Sequence, residues 1–267
     1  MHRTWTPKYH PKSDAEKHRE NIEKCEKKQD QLNTLLRFFG VSSPNEWDRI
    51  WRVHYKTSFR ITTAYETNQY AIAAWLRQGE IEAQRIECGP FNKSGFKSSL
   101  ADIRSLTLES IDFFVPQVKS ICADNGIAVV WVRELPSTGV SGATQWISKD
   151  KAIIQLSLRY KTDDQLWFTF FHEAGHILLH GKKDLFLEGI DIGENEKERE
   201  ADTFAADHLI PPTKYKSFTK ERSFDKADIV KFAKSIGIAP GIVVGRLQKD
   251  KLLSFKFGNQ LKRRFQF

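Results

Sequence analysis

Apolar residues recur at intervals of three and four through most of the first 125 residues, which is the spacing of one helix face. A long amphipathic helix is predicted to begin at the capping pair Ser13 and Glu16 and to end at Gly40. A second capping pair, Ser43 and Glu46, predicts another helix start. Further helices are expected over residues 65–84 and 97–124, with a loop at 89–95.

The pattern changes after residue 125, where short apolar runs rich in β-branched residues predict strands. We interpret three such runs, at 127–132, 140–147 and 152–158, as a small antiparallel sheet. A helix over residues 166–180 follows, capped by Asp163 or Asp164. Another helix, over residues 196–209, ends before Pro211. The sequence therefore predicts an α+β fold, in which a mostly helical N-terminal region precedes a small sheet packed on helices.

Four segments of different character are predicted along the chain: an arm with one amphipathic helix at 1–40, a helical region at 41–125, a core at 126–212 and a basic helical extension at 213–267. The net charge of +8 is concentrated in the last segment, since Pro212–Phe267 holds 14 Lys and Arg against 4 Asp and Glu. No stretch reaches about 18 consecutive apolar residues and no secretory leader opens the chain, so we expect a cytoplasmic protein with no membrane partner. The three cysteines, none in a C-x-x-C pair, predict reduced thiols.

The predicted helix over residues 166–180 contains an H-E-x-x-H motif, formed by His172, Glu173 and His176. At about 100° per residue the two histidines share one face, so both imidazoles can reach one tetrahedral zinc ion. Glu173 is offset toward the same open side. It is suited to take a proton from metal-bound water, because the metal lowers the pKa of that water to about 7. The motif predicts a catalytic metal site, with zinc as the expected ion and manganese as the alternative.

A catalytic zinc site needs a third protein ligand, and the helix over residues 196–209 offers several carboxylates. Glu198 and Asp202 are four residues apart and share a face, so Glu198 is suited to bind the metal while Asp202 orients a ligand histidine. Glu200 lies about 200° around the helix from Glu198, so we expect only Glu198 to face the metal. His180 lies a full turn beyond His176 and is expected to support the site from outside or to be structural.

A structural interpretation of the same residues stays open. Two histidines four apart among apolar neighbours are also typical of a helix that packs on another helix, and an acidic helix is also typical of a solvated face. Tyr160 and His208 are candidates for stabilising an oxyanion, although the sequence places neither near the metal.

At these residues the chain resembles the ImmA/IrrE metallopeptidases. The resemblance rests on the segments HEAGHILLH at 172–180, EREADTFAA at 198–206 and LIP at 209–211. It implies a cytoplasmic zinc-dependent endopeptidase with His172, His176 and Glu198 as ligands, which cuts a DNA-binding repressor of the helix-turn-helix type. Residues 167–171 and 240–247 look like a branch of that family fused to addiction-module antitoxin-type regulators. Residues 1–40 depart from that branch, because they offer one charged helix in place of a helix-turn-helix domain.

The basic extension predicts two helices, over residues 225–236 and 239–248, which evoke a helix-turn-helix. The second of these is largely apolar and offers only Arg246 for guanine recognition, which favours packing on the body of the protein. The run Lys262-Arg263-Arg264 is a candidate contact for phosphate or an acidic protein. The alternative to the enzyme is therefore a non-catalytic regulatory module, similar to an antitoxin, that binds a toxin, a repressor or DNA.

Overall fold

A computed structural model describes most of the chain, namely residues 27–52, 69–136, 138–157, 159, 161–182, 185–188, 196–220 and 224–265. The chain divides into two compact units, Met1–Val53 and His54–Phe267. The predicted helix start at residues 13–16 lies outside the described residues, as do Cys25 and Tyr160.

The described part of the first unit, residues 27–52, forms the helices α1 (Lys28–Phe39) and α2 (Pro44–Trp47). Gly40 ends α1 in the left-handed conformation, at φ 67°, as the sequence predicted. The Ser43 side chain accepts a hydrogen bond from the Glu46 amide at 3.2 Å, which confirms the second cap. A wider π-helical turn, Asp48–Arg52, continues the chain.

An aromatic cluster forms the centre of this small unit. The ring of Phe39 meets the rings of Trp47 and Trp51 edge to face, with centroids 5.6 and 5.4 Å apart. Trp51 is buried within this cluster. These contacts join the residues that follow Gly40 to the end of α1.

The second unit has an α+β fold. Its helices are α3 (Gln69–Gln84), α4 (Lys93–Ser105), α5 (Ile111–Asp124), α6 (Asp163–Leu179), α7 (Glu196–Leu209), α8 (Pro212–Thr219), α9 (Lys226–Ile236) and α10 (Pro240–Lys249). Its strands are β1 (Ile127–Trp131), β2 (Gly142–Ser148), β3 (Lys151–Leu156) and β4 (Phe186–Glu188). No helix in the described part of the chain is long and apolar enough to span a membrane. The described cysteines, Cys88 and Cys122, are free thiols.

The sheet has the order β1-β3-β2-β4 and is mixed. β2 pairs antiparallel with β3 and β4, but β1 pairs parallel with β3, so the prediction of a purely antiparallel sheet was wrong. The difference lies in the order of the strands. The second strand of the β2–β3 hairpin, β3, lies next to β1 and runs in the same direction as β1. The apolar run of β1 is covered by α3 and α5, which explains its continuous burial.

Helices cover both faces of the sheet. Ile154 and Leu156 of β3 belong to the core that α6 shares, whereas Gln155 between them faces α3 and donates a hydrogen bond to the carbonyl of Trp75 at 2.7 Å. The α3 backbone comes close at Gly79, where a Cβ would collide with the Gln155 amide. The sheet is thus fixed between α3 and the helix that carries the H-E-x-x-H motif.

Several boundaries differ from the sequence prediction. Residues 93–95 belong to α4 and not to a loop, because the Asn92 side chain caps the helix by accepting from the Gly95 amide at 3.0 Å. A turn of 3₁₀-helix, Leu106–Leu108, divides the helix predicted over 97–124. Thr162, not an aspartate, holds the cap position of α6. The short elements β4 and α8 were not predicted.

Candidate metal centre

The H-E-x-x-H motif lies in α6, which runs through the interior of the second unit. The side chains of His172 and His176 are 2% and 1% exposed and Glu173 is 0% exposed. The helix is buried almost all round, because the sheet and the neighbouring helices surround it. Buried polar groups need partners, so these three side chains stand out in an apolar core.

Gly175 allows α7 to approach α6 closely. A Cβ at this position would lie 3.3 Å from the Cα of Ala201 and 3.1 Å from the ring of Phe204. Ala201 is itself fully buried at the same crossing. Two small residues therefore bring the backbones together at the point where the motif faces the acidic start of α7.

The close crossing brings three potential ligands together. The Nε2 atoms of His172 and His176 are 2.9 Å apart. Glu198 Oε2 lies 3.1 Å from His172 Nε2 and 3.5 Å from His176 Nε2. One ligand atom from each of the three residues falls within 4.8 Å of the others. Two imidazole nitrogens and one carboxylate oxygen form a donor set that suits zinc.

The protonation states of these residues also suit a divalent cation. Burial lowers the pKa of His176 to about 4, so its ring is neutral near pH 7. Burial alone would raise the pKa of Glu198, but hydrogen bonds with His172 and His176 outweigh it and lower the pKa to about 2. A neutral imidazole and an ionised carboxylate are the forms that bind metal. The residues therefore fit a metal ion in both geometry and charge.

Asp202 lies beside His172, the first histidine of the motif. Its Oδ1 atom is 3.0 Å from His172 Nδ1, on the side of the ring opposite Glu198. A carboxylate on Nδ1 fixes the ring orientation and leaves Nε2 to face the other ligands. Lys249 approaches Asp202 from α10, with 4.0 Å between Nζ and Oδ2.

His180 contacts the second histidine of the motif, His176. Its Nδ1 atom lies 2.9 Å from His176 Nδ1, and its Nε2 atom lies 3.0 Å from Glu200 Oε2. Glu200 points away from the ligand cluster, as its helical angle predicted, but its contact with His180 was not foreseen. The ring of Phe186 in β4 stacks on His176 at 3.9 Å between centroids. No sequence signal pointed to that stack.

The Glu173 side chain packs against β2 at Gly142, which has no side chain. A Cβ at Gly142 would lie 2.6 Å from Glu173 Oε1, so glycine leaves the space that the carboxylate occupies. The Thr144 hydroxyl donates a hydrogen bond to the backbone carbonyl of Glu173 at 3.1 Å, which ties α6 to the same strand. β2 thus contacts both the side chain and the backbone of Glu173.

His208 does not join this cluster. Its ring stacks on Phe204 at 3.9 Å and on Phe171 at 6.3 Å, and its Nδ1 atom lies 3.0 Å from the Phe204 carbonyl oxygen. It lies ten residues after Glu198 on α7, which corresponds to about 15 Å along the helix. The contacts give His208 a packing role between α6 and α7.

The basic C-terminal segment packs on the start of α6. α10 meets α6 through Gly241 and Gly245, where a Cβ would collide with the carboxylates of Asp163 and Asp164 respectively. This packing agrees with the prediction that the largely apolar helix over residues 239–248 packs on the body of the protein.

Two of the three consecutive basic residues near the C-terminus are used inside the protein. Lys262 Nζ lies 2.6 Å from Asp164 Oδ2, and Arg263 Nε lies 3.3 Å from Asp163 Oδ2. Arg263 also donates to the carbonyls of Thr107, Leu108 and Glu109. Burial raises the pKa of Asp163 to about 6, although the Arg263 charge opposes the shift. Of these three residues only Arg264 is exposed, so a contact of this run with phosphate or an acidic partner would depend on Arg264.

Comparison with known proteins gives one family. Residues 127–248 match the peptidase family described as the IrrE N-terminal-like domain. The match begins at β1 and ends within α10, so it takes in the sheet, the H-E-x-x-H helix, α7 and the helix that packs on α6. No curated protein matches the chain significantly. The family consists of metal-dependent peptidases, in agreement with the ligand cluster. The match assigns residues 127–248, a little under half of the chain, to the IrrE N-terminal-like peptidase domain.

Proposed function

We propose that this protein is a zinc-dependent endopeptidase with His172, His176 and Glu198 as metal ligands and Glu173 as general base. The observation that carries the proposal is the meeting of three ligand atoms within 4.8 Å beside a buried glutamate of the same helix. A purely structural zinc site would need no such base, because its coordination is closed by protein ligands. Manganese is the alternative ion for the same donor set.

Zinc bound there would supply Lewis-acid polarisation of the scissile carbonyl and of the attacking water. Glu173 takes a proton from that water and delivers it to the nitrogen of the leaving amine. Gly142 leaves room for the carboxylate to serve both steps. Asp202 holds the ring of His172 in the orientation that keeps its Nε2 atom toward the metal.

The substrate class that we propose is a DNA-binding repressor of the helix-turn-helix type, cut in the cytoplasm to derepress stress, mobile-element or toxin–antitoxin genes. The resemblance to the ImmA/IrrE metallopeptidases supports this substrate. The sheet favours a substrate that binds as an extended peptide. Among the described strands, none pairs with the outer side of β4, the strand whose Phe186 stacks on His176. An unpaired strand edge offers backbone groups that an extended chain can bind.

Cleavage of proteins by matched variants tests the proposal. The zinc-loaded chain is incubated with a proteome-derived peptide library and with the helix-turn-helix repressor encoded nearest to it, and products are read by mass spectrometry. We expect the native chain to cut and Glu173→Gln to lose at least about 10³-fold in rate while keeping its zinc. If both proteins bind the repressor equally and neither cuts it or the library, the protein is a binding module.

A further inference from the structure

A continuous chain of side-chain contacts leads outward from His176 to the protein surface. His176 Nδ1 lies 2.9 Å from His180 Nδ1, and His180 Nε2 lies 3.0 Å from Glu200 Oε2. The His180 side chain is 4% exposed, whereas Glu200 is 55% exposed. The two histidines come from α6 and the glutamate comes from α7, so the contacts also join the two helices that carry the ligands.

The proton positions along this chain follow from the donor and acceptor chemistry of each group. To present a lone pair at Nε2, next to Glu198 and His172, His176 must carry its proton on Nδ1. That N–H can donate only if His180 Nδ1 is unprotonated. His180 then carries its proton on Nε2 and donates it to Glu200, whose ionised carboxylate can only accept.

We propose that Glu200 is a positioning residue, which fixes the tautomer and orientation of His176 through His180. His172 receives the equivalent support directly, from Asp202 at 3.0 Å. The two ligand histidines are thus held by two carboxylates of one helix, one in direct contact and one through an intervening imidazole. This role rests on the proposed function only in that His176 is taken to be a metal ligand.

Neighbouring packing keeps the intervening ring in place. Phe186 stacks on His176 with an interplanar angle of 14° and lies 5.2 Å from the His180 ring. If His180 carried its proton on Nδ1, two N–H groups would face each other across 2.9 Å. The Glu200 carboxylate opposes that arrangement, because it stabilises the proton on the far nitrogen of His180.

Three variants of the full chain test the role, with zinc as the only ligand. Glu200→Leu removes the acceptor, and Glu200→Gln keeps an amide oxygen that accepts from His180. Asp207→Leu is the matched control, because it removes an exposed carboxylate seven residues further along the same face of α7. The zinc dissociation constant is measured by chelator competition, and nitrogen-15 NMR of the imidazole rings reports the protonated nitrogen of His176 and His180.

We expect zinc affinity to fall about tenfold in Glu200→Leu, to be largely restored in Glu200→Gln and to be unchanged in Asp207→Leu. NMR of the native chain should place the proton of His180 on Nε2. The positioning role is overturned if Glu200→Leu binds zinc within about twofold of the native chain, or if His180 is protonated on Nδ1. A native chain that binds no zinc overturns the proposed function instead, and the ring tautomers still test the contacts between His176, His180 and Glu200.

Discussion

Replacement of Gly175 tests whether the spacing between α6 and α7 sets the metal site. The Cβ of an alanine there would lie 3.3 Å from the Cα of Ala201 and 3.1 Å from the Phe204 ring. Carbon atoms prefer separations of about 3.5–4.0 Å, so Gly175→Ala requires α7 to move by about 0.5 Å. Gly175→Val adds two methyl groups, and we expect it to move α7 by at least about 1 Å.

This movement is small for the fold but large for the metal site. Overpacking costs about 1–3 kcal/mol, whereas alanine in a helix is about 1 kcal/mol better than glycine. The free energy of unfolding should therefore fall by less than about 2 kcal/mol in Gly175→Ala. Because α7 carries Glu198 and ligand distances tolerate only about 0.2 Å, zinc affinity should fall about tenfold in Gly175→Ala and at least about 100-fold in Gly175→Val.

Chelator competition measures the zinc dissociation constant, and urea unfolding of the metal-free chain measures stability. Gly245→Ala is the control, because its Cβ would lie 2.7 Å from Asp164 and so overpack the other end of α6. Gly245 lies in α10, which carries none of the proposed ligands. The control should lose stability and keep its zinc affinity. A folded Gly175→Val protein that binds zinc within about twofold of the native chain would refute the reasoning.

Three further predictions concern stability and catalysis. Arg263→Ala leaves the carboxylate of Asp163, which is 0% exposed, without its guanidinium partner. We expect this variant to lose about 3–5 kcal/mol in urea unfolding at pH 8. The exposed control Arg264→Ala should change the free energy of unfolding by less than about 0.5 kcal/mol. Burial raises the pKa of Asp163 from 3.8 to about 6. The contribution of this carboxyl to the free energy of unfolding is therefore fully present below pH 3.8, and about 3 kcal/mol of it should be lost as the pH rises through 6. Asp163→Asn should remove that dependence, and an unchanged pH profile of the unfolding free energy would show that the carboxyl does not titrate there. Gly142→Ala should displace the Glu173 carboxylate and lower kcat/KM about 100-fold at unchanged zinc content, and loss of the zinc itself would contradict this reading.

The sequence predicted the parts of the site that depend on helical periodicity. His172 and His176 share a face because four residues make about one turn, and the same rule separated Glu198 from Glu200. The end of α7 followed from Pro211, whose ring disfavours a helical predecessor. These features are local, so a single stretch of sequence carries them.

The parts that the sequence did not predict depend on contacts between distant segments. The parallel pairing of β1 with β3 is set by which hairpin strand enters the sheet, and no residue in either strand encodes it. The stack of Phe186 on His176 needs a three-residue strand that is too short to show alternation. The contact between His180 and Glu200 joins two helices, so neither periodicity alone could reveal it.

The proposed endopeptidase depends on one divalent ion bound between α6 and α7. Anomalous X-ray scattering at the zinc edge, from crystals of the zinc-loaded chain, measures this directly. We predict a single strong peak about 2.0–2.2 Å from Nε2 of His172, Nε2 of His176 and a carboxylate oxygen of Glu198. A crystal with no peak there, or with its zinc bound by other residues, would contradict the account.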